Sequence, residues 1–229
     1  MPEPVILSLI EKDNPEQVKR IADALRDIAA KQGAGLTIGM EINPVQIRDI
    51  DAYKAAKGGR LPGTFTEALR QRDPELRKYW FSPFWADVRE EALRLGFNVQ
   101  PIDSDALVKK AMEWHGRRQA AWAAGGGAEA RFQLMKTMGL KRNRFIVSRV
   151  KRLQPQVIIT GDAHAEAIRQ KLGFSNIVRI GSEHYQKIYA AEAAKFRAEE
   201  ANAREEWARR AREKRAIGWQ ARMAARKPK

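Results

Sequence analysis

The chain has 229 residues, 44% hydrophobic and 31% charged, which fits one sizeable folded core rather than a disordered polypeptide. It has no cysteine, which excludes disulfides, thiolate metal sites, iron–sulfur clusters and cysteine nucleophiles and fits a reducing compartment. The formal net charge is +15, so the partners to consider are polyanions: nucleic acid, an anionic membrane surface or an acidic protein.

The amino terminus, MPEPVILSLIEKDNP, carries neither the basic start nor the long apolar stretch of a signal peptide. No run approaches the roughly 20 apolar residues of a membrane span. The expectation is a cytoplasmic protein without an integral membrane segment. Val5 to Ile10 reads as a buried strand. Asn14-Pro15 opens a helix with Val18, Ile21, Ala22, Leu25 and Ile28 on one face, stopped by Gly33 and Gly35. Leu36 to Met40 is the second strand, so the first two strands and their helix form a βαβ unit.

Asn43-Pro44 starts the next helix, and Gly58 to Gly63 forms a loop. Thr64 and Glu67 have the spacing of a capping box, Asp73-Pro74-Glu75 marks another start, and Ser82-Pro83 opens a helix ended by Gly96. Phe97 to Ile102 is the third strand. Helices are expected over 105–124, 129–138 and 143–153, with Gly125-Gly126-Gly127 as a break. Val157 to Thr160 is the fourth strand, a helix follows to Leu172, and Ile177 to Ile180 is the fifth. Short apolar strands alternating with helices define an α/β fold, a mostly parallel sheet flanked by helices. The expected organisation is an α/β domain over residues 1–182 and a long charged helical extension over 183–229. The first half of that extension would pack on the body or on a partner helix. Its end is basic: from residue 208 on, Arg209, Arg210, Arg212, Lys214, Arg215, Arg222, Arg226, Lys227 and Lys229 oppose only Glu213. This tail is the candidate nucleic-acid or nucleoprotein contact. Weak membrane association through Trp207, Ile217, Trp219 and Met223 ranks below it, because the apolar face is thin.

In parallel sheets ligands bind beyond the carboxyl ends of the strands. Glu11, Glu41, Asp103, and Asp162 with His164 follow four successive strands. Such a set suits a divalent metal ion or an acid–base pair, whereas the alternative is that Asp103 and Asp162 simply cap the next helices. Gly161-Asp162-Ala163-His164 is the sharpest local signal. His115 reads as a helix-surface residue, and His184 follows the last strand. Gly58, Gly59 and Gly63 lack the strand and the Gly-Lys-Ser/Thr ending of a P-loop. The aromatic run Tyr79, Trp80, Phe81, Phe84 and Trp85 reads first as core or a self-association patch, and second as a stacking surface for bases or a porphyrin.

Over residues 5–181 these motifs, in this order, resemble the superfamily that joins TraB/PrgY-type proteins, TIKI metalloproteases, erythromycin-esterase-like proteins and ChaN-like haem-binding lipoproteins. The matching positions are Glu11, Glu41, Asp103, Arg142-Asn143 and Gly161-Asp162-Ala163-His164. Glu11-Lys12-Asp13-Asn14-Pro15 is similar to the family's Gly-Glu-x-His-Asp-Asn-Pro, with Ile10 in place of the glycine and the histidine missing. The resemblance implies a strand-end hydrolase site. Glu41 and His164 would bind a metal or activate water, Glu11 and Asp103 would assist, and Arg142 would stabilise developing negative charge. The missing histidine removes a residue that helps form this site in hydrolytic relatives, and without a cysteine there is no lipid attachment point. The alternative is a non-catalytic protein that uses the scaffold structurally and binds nucleic acid or a nucleoprotein assembly through its basic tail.

Overall fold

The computed structural model describes residues 3–9, 15–33, 35–59, 63–123 and 140–181, together with positions 205, 208, 209, 212, 213, 215–217 and 219. Glu11, the glycine break at 125–127, the helix expected over 129–138, His184 and tail residues 210, 214 and 222–229 lie outside the described residues, as does the His115 side chain.

Five strands form one sheet: β1 (Val5–Leu9), β2 (Thr37–Met40), β3 (Asn98–Pro101), β4 (Val157–Gly161) and β5 (Ile177–Ile180). All pairings are parallel, in the order β3-β2-β4-β1-β5. All five expected strands are present, with ends differing by no more than a residue or two. Helix α1 (Pro15–Gln32) links β1 to β2. Helices α2 (Pro44–Ala56), α3 (Phe65–Arg70) and α4 (Pro83–Arg94) lie between β2 and β3, with a short 3-10 turn at Glu75–Lys78 where Asp73-Pro74-Glu75 signalled a start. Helices α5 (Asp105–Ala123) and α6 (Asn143–Leu153) precede β4, and α7 (Asp162–Leu172) joins it to β5.

Side chains alternate across a strand, so one face of the sheet presents Leu7, Leu9, Ile38, Met40, Val157 and Ile159. That face is covered by Ile21, Leu25 and Ile28 of α1 and by Phe84, Trp85, Val88 and Ala92 of α4. The other face presents Ile6 and Ile158 to Ile146 and Val150 of α6 and Ala165 and Ile168 of α7. Burial on both faces explains why the strands read as continuous apolar runs. On this second face β2 carries Gly39. A Cβ there would stand 3.0 Å from Ile102 Cγ2 and 3.2 Å from Pro155 Cγ, so the close packing of the β3 and β4 approaches needs a glycine.

The path of the chain sets which helices cover which face. It moves outward from β1 to β2 to β3 with α1 and α4 on the first face. It then returns to place β4 between β2 and β1 and crosses to β5, with α6 and α7 on the second. A reversal of travel puts crossover helices on opposite faces when each crossover has the same hand. The segments leaving β2 and β4 therefore diverge at the carboxyl ends of these neighbouring strands, the position where open parallel sheets bind ligands.

A smaller cluster of Ile50, Tyr53, Phe65, Leu76 and Ala86 packs beside the sheet. Tyr79 and Phe81 join it, with ring centroids 5.8 and 6.0 Å from that of Tyr53. The aromatic run is thus divided between two cores, and of its members only Trp80 is an exposed side chain. Thr64 and Glu67 form the expected capping box at α3. Asp87 of α4 adds a second cap, accepting the Phe65 amide at 2.6 Å and the Thr66 amide at 3.0 Å. No helix among the described residues is long and apolar enough to cross a membrane.

Candidate functional site

Glu41 is the first residue past β2, where the chain leaves the sheet. Its amide donates to the Ile159 carbonyl at 2.9 Å, the last backbone bond of that edge. Its carboxylate then continues the ladder: Oε2 accepts the Gly161 amide at 2.6 Å and the Thr160 hydroxyl at 2.8 Å. Glu41 is therefore held by the end of β4, 5% exposed, where the chain segments leaving β2 and β4 part.

Arg142 reaches this carboxylate from the other side. It sits in a π-helical turn at residues 140–142 that runs into α6, a distortion often associated with functional positions. Its Nη2 donates to Glu41 Oε1 at 3.2 Å and also to Asp103 Oδ2, and its Nε donates to Asp103 Oδ1 at 3.2 Å. Asp103, just beyond β3, thus receives a two-pronged guanidinium contact and also accepts the Ser104 amide at 2.8 Å. Arg142 is 7% exposed and Asp103 4%. Burial works against the charge of Arg142, but hydrogen bonding to Asp103 and attraction to Asp103 and Glu41 outweigh it and raise its pKa further.

His164 lies in the first turn of α7, buried at 7% exposure. Its Nδ1 contacts Asn143 Oδ1, and Nε2 lies 3.6 Å from Glu41 Oε1. With the Asn143 oxygen as acceptor, the neutral ring carries its proton on Nδ1, and in that tautomer the Nε2 lone pair faces a carboxylate. Two acceptors at that distance are compatible when a proton lies between them. Protonating the imidazole gives an ion pair; a water or substrate hydrogen can serve both atoms.

The structure brings Glu41, Asp103, Arg142 and His164 together, from positions up to 123 residues apart in the sequence. It does not bring Asp162 with them. The Asp162 carboxylate turns towards the β1 side, accepting the Ser8 hydroxyl at 2.7 Å and Arg179 Nε at 3.1 Å. Among the described residues no three histidine, aspartate or glutamate side chains form a group able to hold a metal ion. The cause is geometric: the guanidinium of Arg142 lies between Glu41 and Asp103 and takes the place of a cation, while Asp162 is spent elsewhere. In the structure the partner of the Glu41 and Asp103 carboxylates is Arg142. Nε and Nη2 of Arg142 are both engaged by carboxylates.

Thr160, Asn143 and Ser8 escaped the sequence reading as site residues. Thr160 and Ser8 did leave a trace: each is a polar residue inside an apolar strand, and they stand opposite each other in the β1–β4 register. Asn143 stands in the sequence as half of the Arg142-Asn143 pair, with no role of its own assigned. Compared with protein-family models, curated proteins and solved structures, the chain matches none.

Proposed function

We propose that the chain is a divergent TraB/ChaN-like α/β protein whose strand-end cluster is a hydrolytic acid–base site, with His164 as the base. The observation that supports this most is the convergence of Glu41, Asp103, Arg142 and His164 at the carboxyl ends of the strands, with Asn143 orienting the imidazole. In this mechanism Nε2 of His164 takes a proton from water as the oxygen attacks a carbonyl carbon. Glu41 stabilises the imidazolium across the 3.6 Å gap. The tetrahedral intermediate collapses with cleavage of the bond to the leaving group, which receives the proton from Nε2. Arg142 and Asp103 are positioning residues: the Arg142 guanidinium, gripped by Asp103, holds the Glu41 carboxylate in place.

Purified protein, parent and variants, is to be screened against ester and amide substrates. His164→Gln should reduce turnover by about 10²- to 10⁴-fold, the usual contribution of a positioned general base, with little change in melting temperature. Equal turnover in parent and variant, or none by the parent on any of these classes, would overturn the reading.

A second reading concerns the tail as a polyanion-binding element. It is favoured by the exposure of Arg209, Arg212 and Arg215 in a terminal stretch with nine basic residues against one acidic. Removing residues 208–229 should weaken nucleic-acid binding and flatten its salt dependence, because fewer counterions are released. An unchanged affinity and salt slope would refute it.

A further inference from the structure

The described positions of the terminal segment, Glu205, Ala208, Arg209, Arg212, Glu213, Arg215–Ile217 and Trp219, are helical. Their contacts follow helical spacing: Arg209 pairs with Glu213 at 2.7 Å, and Arg212 Nε donates to the Ala208 carbonyl at 3.3 Å. At a helical 3.6 residues per turn, the sequence positions of Arg212, Arg215 and Trp219 fall within about 60° of one another, whereas that of Ile217 lies roughly opposite Trp219. All four are exposed, Trp219 at 61% and Ile217 at 66%.

This arrangement discriminates between polyanions. A helix lying on a membrane gathers its large apolar residues on one face and its basic residues on the other. Here the tryptophan stands among arginines, and the isoleucine across the helix has no large apolar neighbour among the described residues. A tryptophan that shares a helical phase with two arginines matches a single strand, where charge follows the phosphates and an aromatic plane stacks on an unpaired base. In a duplex the bases already stack on one another, and the indole gains little.

We propose that this segment binds single-stranded nucleic acid, with Arg212 and Arg215 on phosphates and Trp219 stacked on a base. The proposal rests on the tail reading above and is independent of the strand-end site. The test uses the full chain in fluorescence anisotropy with a labelled single-stranded DNA of roughly 20 nucleotides, enough for several aromatic and phosphate contacts. The corresponding duplex and phosphatidylserine-containing vesicles are run alongside.

The parent should bind the single strand more tightly than the duplex. Trp219→Ala should weaken single-strand binding by about 5- to 150-fold, the range for loss of one stacked base, and Trp219→Phe should retain most of it. The Arg212→Ala/Arg215→Ala pair should lower the slope of log affinity against log salt by about 1.4, the value for two single-strand phosphate contacts. If the arginine pair weakens binding but Trp219→Ala does not, or duplex binds as tightly as single strand, stacking is refuted while the tail reading stands. If the parent binds neither oligonucleotide, or binds only the vesicles, both fail.

Discussion

Replacing Arg142 with methionine tests the physical core of the candidate site. The substitution keeps an unbranched apolar stem of similar reach but removes the charge that Glu41 and Asp103 share. Both carboxylates are at most 5% exposed, so water does not readily take over from the guanidinium. Breaking a buried ion pair by removing one partner costs about 3–5 kcal/mol, mostly because a charge is left buried and uncompensated. For a chain of this length that corresponds to a fall in melting temperature of about 6–20 °C. Urea unfolding at neutral pH, followed by far-ultraviolet circular dichroism, measures the free energy directly. The Arg142→Met/Asp103→Asn double variant should be less destabilised than the two single changes together, because the neutral amide leaves one charge fewer without a partner. Arg142→Lys should recover only part of the loss, since an ammonium cannot reproduce the two-pronged contact with Asp103. A cost below about 1 kcal/mol for Arg142→Met, the range of an exposed pair, would refute the claim that this guanidinium holds two buried carboxylates.

Tyr53 provides a pH test. Burial, followed by its 2.9 Å hydrogen bond to Asp73, pushes its phenol up to about 12. A raised acid stabilises the fold fully below the unfolded value near 10, and that contribution disappears as the pH rises through 12. Parent protein should therefore lose stability between these values relative to Tyr53→Phe. A difference absorbance titration showing the Tyr53 step near 10 would contradict it. Glu166 gives the opposite sign: hydrogen bonding to Arg169 leads the effects that lower its carboxyl to about 2. Its contribution is present above the ordinary value of 4.5 and is lost as the pH falls towards 2, so Glu166→Gln should flatten that part of the acid limb of melting temperature against pH. The side chain is about a third exposed, so solvent screening keeps the effect to about 0.5 kcal/mol or less; a change of several kcal/mol would show that the pair is not a surface one. Gly39→Ala should cost about 1–3 kcal/mol through overpacking against Ile102 and Pro155, and adding Ile102→Val should recover part of it. Neutral behaviour of Gly39→Ala in chemical unfolding would show that the second face has room for a methyl group.

Several elements are legible from local chemistry. Val5–Leu9 and Val157–Gly161 are legible as strands because both sheet faces are buried and every side chain must be compatible with burial. The Thr64–Glu67 cap and the left-handed stop at Gly173 follow from hydrogen bonding and backbone freedom within a few residues. The strand-end rule also marked Glu41, Asp103 and His164 as neighbours before any distance was known. Tertiary structure alone decided that β4 inserts between β1 and β2, a choice made by contacts more than 100 residues apart. It alone set Arg142 between Glu41 and Asp103 as their counter-ion and turned Asp162 away to Ser8 and Arg179. Sequence position conveys that a charged residue stands at a strand end. Which partner neutralises it depends on how closely the buried groups approach, because in a low-dielectric interior each charge must find its compensation among whatever the fold brings within reach.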